Sequence, residues 1–223
     1  MTATETTTEA GTDLLLNANK LGEYKRVETT IEGVLPILLY RGEMSDPFDP
    51  WAKKLKTLTA KTNKNDELLS EIRDVEWRAA IWWSDRFGLY LPAGNLFAGI
   101  RDAAKAFKKG KAVTEGLIVY AEDKNGDAEC VKIFYSGPQT LEKLATNPEY
   151  RDSRSVVMSG RRIIRTRGRV PAGWRMTFII QFNARTLEAR EVVSFLQAAG
   201  FAGGMGDYRP RFGRFDVLEA REI

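Results

Sequence analysis

The stretch TLEAREVVSFLQAAGFAGGMGDYRPRFGRFDV, Thr186 to Val217, passes from one kind of backbone to another twice. Leu187, Val192, Val193, Phe195 and Leu196 recur at helical spacing, which predicts an amphipathic helix with Thr186 as its N-cap and Gly200 just past its end. GRFDVLEAR then reads as a closing strand. Between them lies a glycine-rich segment carrying Tyr208, Arg209, Arg211, Phe212 and Arg214. Bare backbone at Gly203, Gly204 and Gly206 lets N–H groups approach an anion, and cations among aromatics can hold phosphates while rings stack on bases. On that reading Gly204→Val weakens binding more than folding.

The preceding segments extend the order. KRVETTIEGVLPILLYR, Lys25 to Arg41, alternates and then becomes continuously apolar, as a half-buried strand does, with an edge or bulge at Pro36. Residues 44–85 are rich in lysine and read as an insertion, a helix from Asp66 running into a strand near Trp83. LPAGNLFAGIRDAAKAFKKG predicts a helix capped by Asn95 and ending at Gly110. EGLIVYAEDKNGDAECVKIFYSG reads as two strands joined in a hairpin at Asn125-Gly126. TLEKLATN predicts a short helix, and strands follow at Arg162 to Arg167 and Arg175 to Asn183, around a turn at Pro171-Ala172-Gly173. Strand, helix, hairpin, strand, helix, strand is a βαββαβ order: an α+β, ferredoxin-like or RNA-recognition-like sheet with helices on one face. The other face and its loops are then free for nucleic acid.

Charge concentrates between Arg151 and Arg169, where seven arginines meet one acid, Asp152. In RRIIRTRGR, Ile163 and Ile164 can pack while Arg161, Arg162, Arg165, Arg167 and Arg169 project, and the guanidinium fork suits phosphate. The whole chain of 223 residues carries only +4, so the distribution matters more than the total. Its length suits a single domain over residues 23–223, preceded by an acidic, threonine-rich, disordered tail at 1–22. That tail resembles neither a signal nor a transit peptide, and no apolar run reaches the roughly 18 residues of a membrane span, so a cytoplasmic location is expected.

The chain has no histidine and one cysteine, Cys130. Ser-His-Asp and Cys-His catalysis are therefore excluded, as are an intrachain disulfide and the usual zinc clusters; no cofactor is expected. Cys130, in an apolar alternation, reads as a small core residue. Asp46 and Asp49 sit in a turn-rich segment, as ordinary turn formers or as a metal-dependent phosphodiester site.

Two segments resemble the RAMP superfamily of CRISPR effector proteins, in particular the backbone subunits that coat guide RNA. LPAGNLFAGIRDAAKAF is similar to the family's turn and first helix through Pro92, Gly94, Gly99 and Arg101, although PAGN stands where the family has a glycine-serine-serine pattern. The span from Arg167 to Val217 is similar to its closing half. The resemblance implies a modified RNA-recognition fold, head-to-tail assembly with other copies and other effector subunits, and guide RNA held by Arg101, Gly203, Gly204, Gly206, Arg209 and Arg211. It also implies that an aspartate after the first strand, here Asp46 or Asp49, is where cleaving members place their chemistry. The family's guide-processing branch relies on histidine, which is missing. Single-stranded DNA binding, metal-dependent RNA cleavage and a structural scaffold remain the alternatives to RNA coating.

Overall fold

Along β1 (Tyr24–Gly33) every second side chain, Val27, Thr29 and Ile31, is withdrawn from water, and along β9 (Arg175–Asn183) the same holds for Met176, Phe178, Ile180 and Phe182. This period of two is the mark of a strand with one covered face. In the computed structural model, which describes residues 23–121, 127–158 and 160–223, β1 and β9 are the centre of a four-stranded antiparallel sheet. Its edges are β10 (Phe215–Glu222) beside β1 and β5 (Leu117–Tyr120) beside β9, giving the order β10-β1-β9-β5. The remainder is α+β as well. A second sheet has the order β2-β8-β7, from β2 (Ile37–Leu39), β7 (Arg151–Met158) and β8 (Arg161–Val170). A third joins β3 (Trp83–Ser84), β4 (Gly88–Pro92) and β6 (Cys130–Lys132) in the order β3-β4-β6.

Helices α1 (Pro50–Thr59) and α2 (Asp66–Ala80) lie between β2 and β3; α3 (Ala93–Ala104) and α4 (Gly110–Gly116) lie between β4 and β5. The short α5 (Leu141–Thr146), capped by the Thr140 hydroxyl, precedes β7, and α6 (Ala189–Ala198) lies between β9 and β10. Leu96, Ile100 and Ala104 of α3 and Val192, Phe195 and Leu196 of α6 join Phe178, Phe182 and Trp174 in one core. Each fully buried large side chain there is worth about 1.5–3 kcal/mol of transfer free energy.

Several boundaries differ from the sequence expectation, each for a local reason. Pro36 divides Lys25–Arg41 into two strands in different sheets, because after Gly33 the chain turns to let Val34 N–H reach the Arg214 carbonyl. Asn95 is not the N-cap. Strand β4 runs directly into α3 at Pro92, where the Ala93 N–H takes the Glu129 carbonyl and no capping side chain is needed. The helix stops at Ala104 rather than Gly110, because Lys108 turns left-handed at φ 58° and Gly110 opens α4. Thr186 is not the cap of α6: Glu188, two residues later, forms a reciprocal capping box with Glu191, so Glu191 Oε2 accepts from the Glu188 N–H at 3.0 Å. Nor does Gly200 end the helix, which widens into a π turn over Ala199–Gly203.

Strands β5 and β6 both exist but are not partners: β5 pairs with β9 and β6 with β4. Asn125-Gly126 and the 1–22 tail lie outside the described residues. The segment 44–85 has two parts. Leu58, Leu68 and Val75 form a small cluster of their own with Trp51, Leu55 and Ile72, whereas Trp77, Ile81 and Trp82 belong to the main core. The Trp77 indole donates to the Tyr150 carbonyl at 2.8 Å, so the end of α2 is core rather than a peripheral insertion.

Candidate nucleic-acid interface

Antiparallel pairing puts directly opposed residues on the same face. In the β7–β8 hairpin, Asp152 stands opposite Arg167, Arg154 opposite Arg165, and Val156 opposite Ile163. One face therefore carries Arg154, Arg165, Arg167 and Arg169 with Asp152, and the other carries Ser153, Ser155, Ile164 and Thr166. The second face meets α2 near its base, where Gly168 packs on Ile81. The first face meets the glycine-rich loop. That loop is laced to β2: the Asp207 N–H donates to the Leu38 carbonyl and the Gly213 N–H to the Pro36 carbonyl, both at 2.8 Å.

The arginines and aromatics interleave into a ladder. The Arg154 guanidinium lies 4.7 Å from the Phe212 ring centre and 5.4 Å from that of Tyr208. Arg167 lies 5.4 Å from Tyr208 and 6.0 Å from Tyr40, and Arg165 lies 4.8 Å from Tyr40. Such contacts contribute about 0.5–2 kcal/mol each. Carboxylates complete it: Arg154 bonds Asp152, and Arg167 Nε donates to Asp207. Arg165 donates to the Tyr40 hydroxyl. Burial pushes the Tyr40 phenol above its ordinary value, against the pull of Arg165, so it stays protonated.

Arg167 is only 5% exposed, and its Nη1 is buried without a hydrogen-bond partner. It clamps the loop to the hairpin and keeps one donor to spare, while Arg165 is half-buried. Arg162, Arg209 and Arg211 are exposed, and Arg169 donates to the Glu149 carbonyl at 2.7 Å. Arg161 occupies the hairpin end opposite Met158. Arg101 on α3 lies 5.9 Å from the Phe97 ring and 3.1 Å from Asp102, with its Nε buried and unpartnered. Its helix reaches the loop through Gly99, whose Cα faces Met205 so closely that a Cβ would lie 2.7 Å from the sulfur. Gly203 is open to its surroundings, Tyr208 belongs to the ladder, and Gly204 and Gly206 adopt positive φ.

Phe212 stands among the expected loop aromatics, whereas Tyr40, Arg154 and Asp207 were not foreseen as parts of the same site. Arg154 carried a usable signal, since it sits in the arginine-rich run; Tyr40 reads only as the end of an apolar strand. Strand β7 itself was missed, though Val156-Val157 before Gly160 is a β-branched pair ahead of a turn.

Glu76 of α2 is 8% exposed and accepts from the Thr166 N–H at 2.8 Å, beyond the point where β2 stops pairing with β8. Burial raises its carboxyl above the ordinary 4.5, opposed by the Thr166 N–H and by Arg165. The folded chain thus binds more protons than the unfolded one just above pH 4.5, and stability falls as pH rises through the raised value. Glu76→Gln removes that loss. Relative to wild type, the variant gains stability between pH 4.5 and neutrality, read by urea denaturation across the range; parallel curves would contradict this.

Asp46 and Asp49 have local employment. Asp49 caps α1 through the N–H groups of Trp51 and Ala52 at 2.8 and 3.0 Å, and Asp46 accepts from the Phe48 N–H at 2.8 Å. Among the described residues no group of three or more His, Cys, Asp or Glu could hold a metal, and no helix is long and apolar enough to cross a membrane. Burial and a bond to Asp127 push the Cys130 thiol up to about 11, which suppresses the nucleophilic thiolate. The uncovered face of the central sheet is spanned by ion pairs, Glu28–Arg221 and Glu32–Arg175, each at 2.8 Å. Its charges are largely matched, so the exposed cations of the hairpin and loop are the stronger attraction for an anion.

No family model and no curated protein match the sequence. Among solved structures 70 chains match. One is a chain in the cryo-EM structure of the Type III-B Cmr-beta bound to cognate target RNA, with a TM-score of 0.50 and 9% identity over 96% of this chain and 65% of that one. The chain spans just under two thirds of that neighbour's length, and at such identity the likeness is one of fold.

Proposed function

We propose that the chain is a guide-RNA-coating backbone subunit of a cytoplasmic CRISPR-type ribonucleoprotein, assembling head to tail with further copies and with other effector subunits. The observation that carries this is the meeting of an arginine hairpin with a glycine-rich loop beside a sheet ordered β10-β1-β9-β5. With α3 and α6 as crossovers, β1-α3-β5-β9-α6-β10 follows the ferredoxin-like βαββαβ order, and the lysine-rich segment carrying α1 and α2 joins it with the end of α2 packed into the main core. The likeness in fold to a chain of a complex bound to cognate target RNA supports the same reading. RNA is held by Arg162 on the hairpin and by Arg209 and Arg211 on the loop that Arg167 and Tyr208 fix, with the half-buried Arg101 of α3 beside that loop. In this reading the subunit binds RNA without cleaving it, and Asp46 and Asp49 act as turn and cap residues through backbone N–H groups.

Size-exclusion before and after nuclease treatment tests the proposal. Untreated protein is expected to elute as a large nucleoprotein and treated protein as a smaller species, with RNA recovered and sequenced from the first. Matched oligonucleotides should show a preference for RNA over DNA. A monomer free of nucleic acid in both runs, without affinity for RNA at low salt, overturns the reading.

A further inference from the structure

Helix α1 keeps its two sides apart. Trp51, Leu55 and Leu58 recur at helical spacing and pack on Leu68, Ile72 and Val75 of α2, so its apolar side is spent within the chain. Lys53 and Lys56, three residues apart, stand with Lys54 on the sides that remain, and all three are exposed. Among the described residues the lysines in ion pairs are Lys25, Lys105, Lys109 and Lys111, so Lys53, Lys54 and Lys56 are without a carboxylate. Residues 50–64 hold five lysines and no acid. The neighbouring carboxylates lie to either side of this stretch. Before it, Asp46 and Asp49 take backbone N–H groups and Glu43 pairs with Arg41 at 3.5 Å; after it, Glu67 and Glu71 of α2 share a hollow with Lys61.

Phe48 stands at the head of this helix with its ring 78% exposed. Its backbone is pinned, because the Phe48 N–H donates to the Asp46 carboxylate at 2.8 Å and the Asp49 N–H to the Asp46 carbonyl at 3.2 Å. A fixed backbone thus holds an aromatic face out to solvent, and the Lys53 ammonium lies 5.4 Å from the ring centre. Unpaired ammonium groups attract phosphates, and an exposed ring beside them is a platform for a base. An anionic membrane would also meet the lysines. A helix that lies in lipid must turn an apolar side outward, however, and α1 has turned its own onto α2.

We propose that α1 and Phe48 form a second contact for single-stranded nucleic acid, separate from the hairpin and loop, with phosphates on Lys53, Lys54 and Lys56 and one base on Phe48. RNA and single-stranded DNA present the same phosphates and bases. That the strand is RNA rests on the RNA-coating reading; the site itself does not.

Fluorescence anisotropy of labelled single-stranded RNA and matched DNA over a salt series tests this on the full chain. Combined Lys53→Gln, Lys54→Gln and Lys56→Gln keeps helix propensity and should leave Tm unchanged. The slope of log K against log salt is expected to fall by about 2, and affinity at low salt by about tenfold. Phe48→Ala should cost about tenfold in affinity at unchanged slope, with Phe48→Trp restoring it and Phe48→Leu failing to. Ultraviolet cross-linking of the wild-type chain should join the strand to Phe48, within the tryptic peptide 42–53. An unchanged slope in the triple variant overturns the site, as does a Phe48→Leu chain that binds as tightly as wild type. Binding to phosphatidylserine–phosphatidylcholine vesicles that the triple variant loses, while nucleic-acid affinity stays constant, overturns it in favour of a membrane. RNA binding that depends on Arg162, Arg209 and Arg211 but not on the α1 lysines rejects this site and leaves the RNA-coating reading standing. Cross-linking at Phe48 with equal affinity for RNA and DNA, and no large nucleoprotein on size-exclusion, keeps the site and rejects that reading.

Discussion

Gly213→Ala lowers folding stability by about 3 kcal/mol or more, with loss of soluble protein as the first symptom. Gly213 has φ +72°, and a Cβ there would lie 1.8 Å from the Met205 carbonyl oxygen. The obstacle is backbone, which is itself held by the Met205 N–H donating to the Gly213 carbonyl at 2.9 Å, so no side chain can swing away. Gly204 is the facing case: φ is +73°, and a Cβ would lie 2.4 Å from the Phe212 carbonyl oxygen. Gly204→Val should therefore fail in folding as well as in binding, against the sequence expectation that binding would suffer more. Gly203→Ala is the control, because nothing lies within 4 Å of its added carbon. Urea denaturation of the three variants measures the contrast, and a Gly213→Ala protein as stable as Gly203→Ala would remove the loop from the framework of the fold.

The second large effect is on affinity. Arg162, Arg209 and Arg211 are exposed, so their combined replacement by glutamate should leave the denaturation midpoint close to wild type. Loss of three phosphate contacts lowers the slope of log K against log salt by about 2 for a single strand. RNA affinity at low salt should fall by about a hundredfold, since each charge is reversed rather than removed. Fluorescence anisotropy over a salt series reads both numbers. An unchanged slope would show that these cations do not meet phosphate. Arg167→Ala behaves differently: it frees Asp207 and opens the ladder between Tyr40 and Tyr208, so stability and affinity should fall together.

Legibility in the sequence followed the range of the forces concerned. The alternation of Val27, Thr29 and Ile31, the helical stripe through Val192, Phe195 and Leu196, and the arginine density of 151–169 are properties of neighbouring residues, and the structure keeps all three. Helix ends were less legible. At Asn95 a strand pairing took the place of a cap, and at Thr186 a better reciprocal pair stood two residues on. The hairpin expectation failed at the level of partners: Leu117–Tyr120 and Cys130–Lys132 have the right composition for strands, but which strand each meets depends on β9 and β4.

The chemistry of the candidate interface shows the same division. Sequence alone established an α+β chain without histidine, with arginines gathered at Arg151–Arg169 and cations interleaved with aromatics at Tyr208–Phe215, because composition and spacing are carried by the chain itself. Only the tertiary structure decided which arginines are spent and which are free. Asp207 and Tyr40 are distant in sequence from Arg167, and burial against them turns that arginine into a clamp, while Arg162 and Arg211 keep their heads in solvent. Desolvation and pairing are set by what folds against a side chain, and no local pattern encodes that.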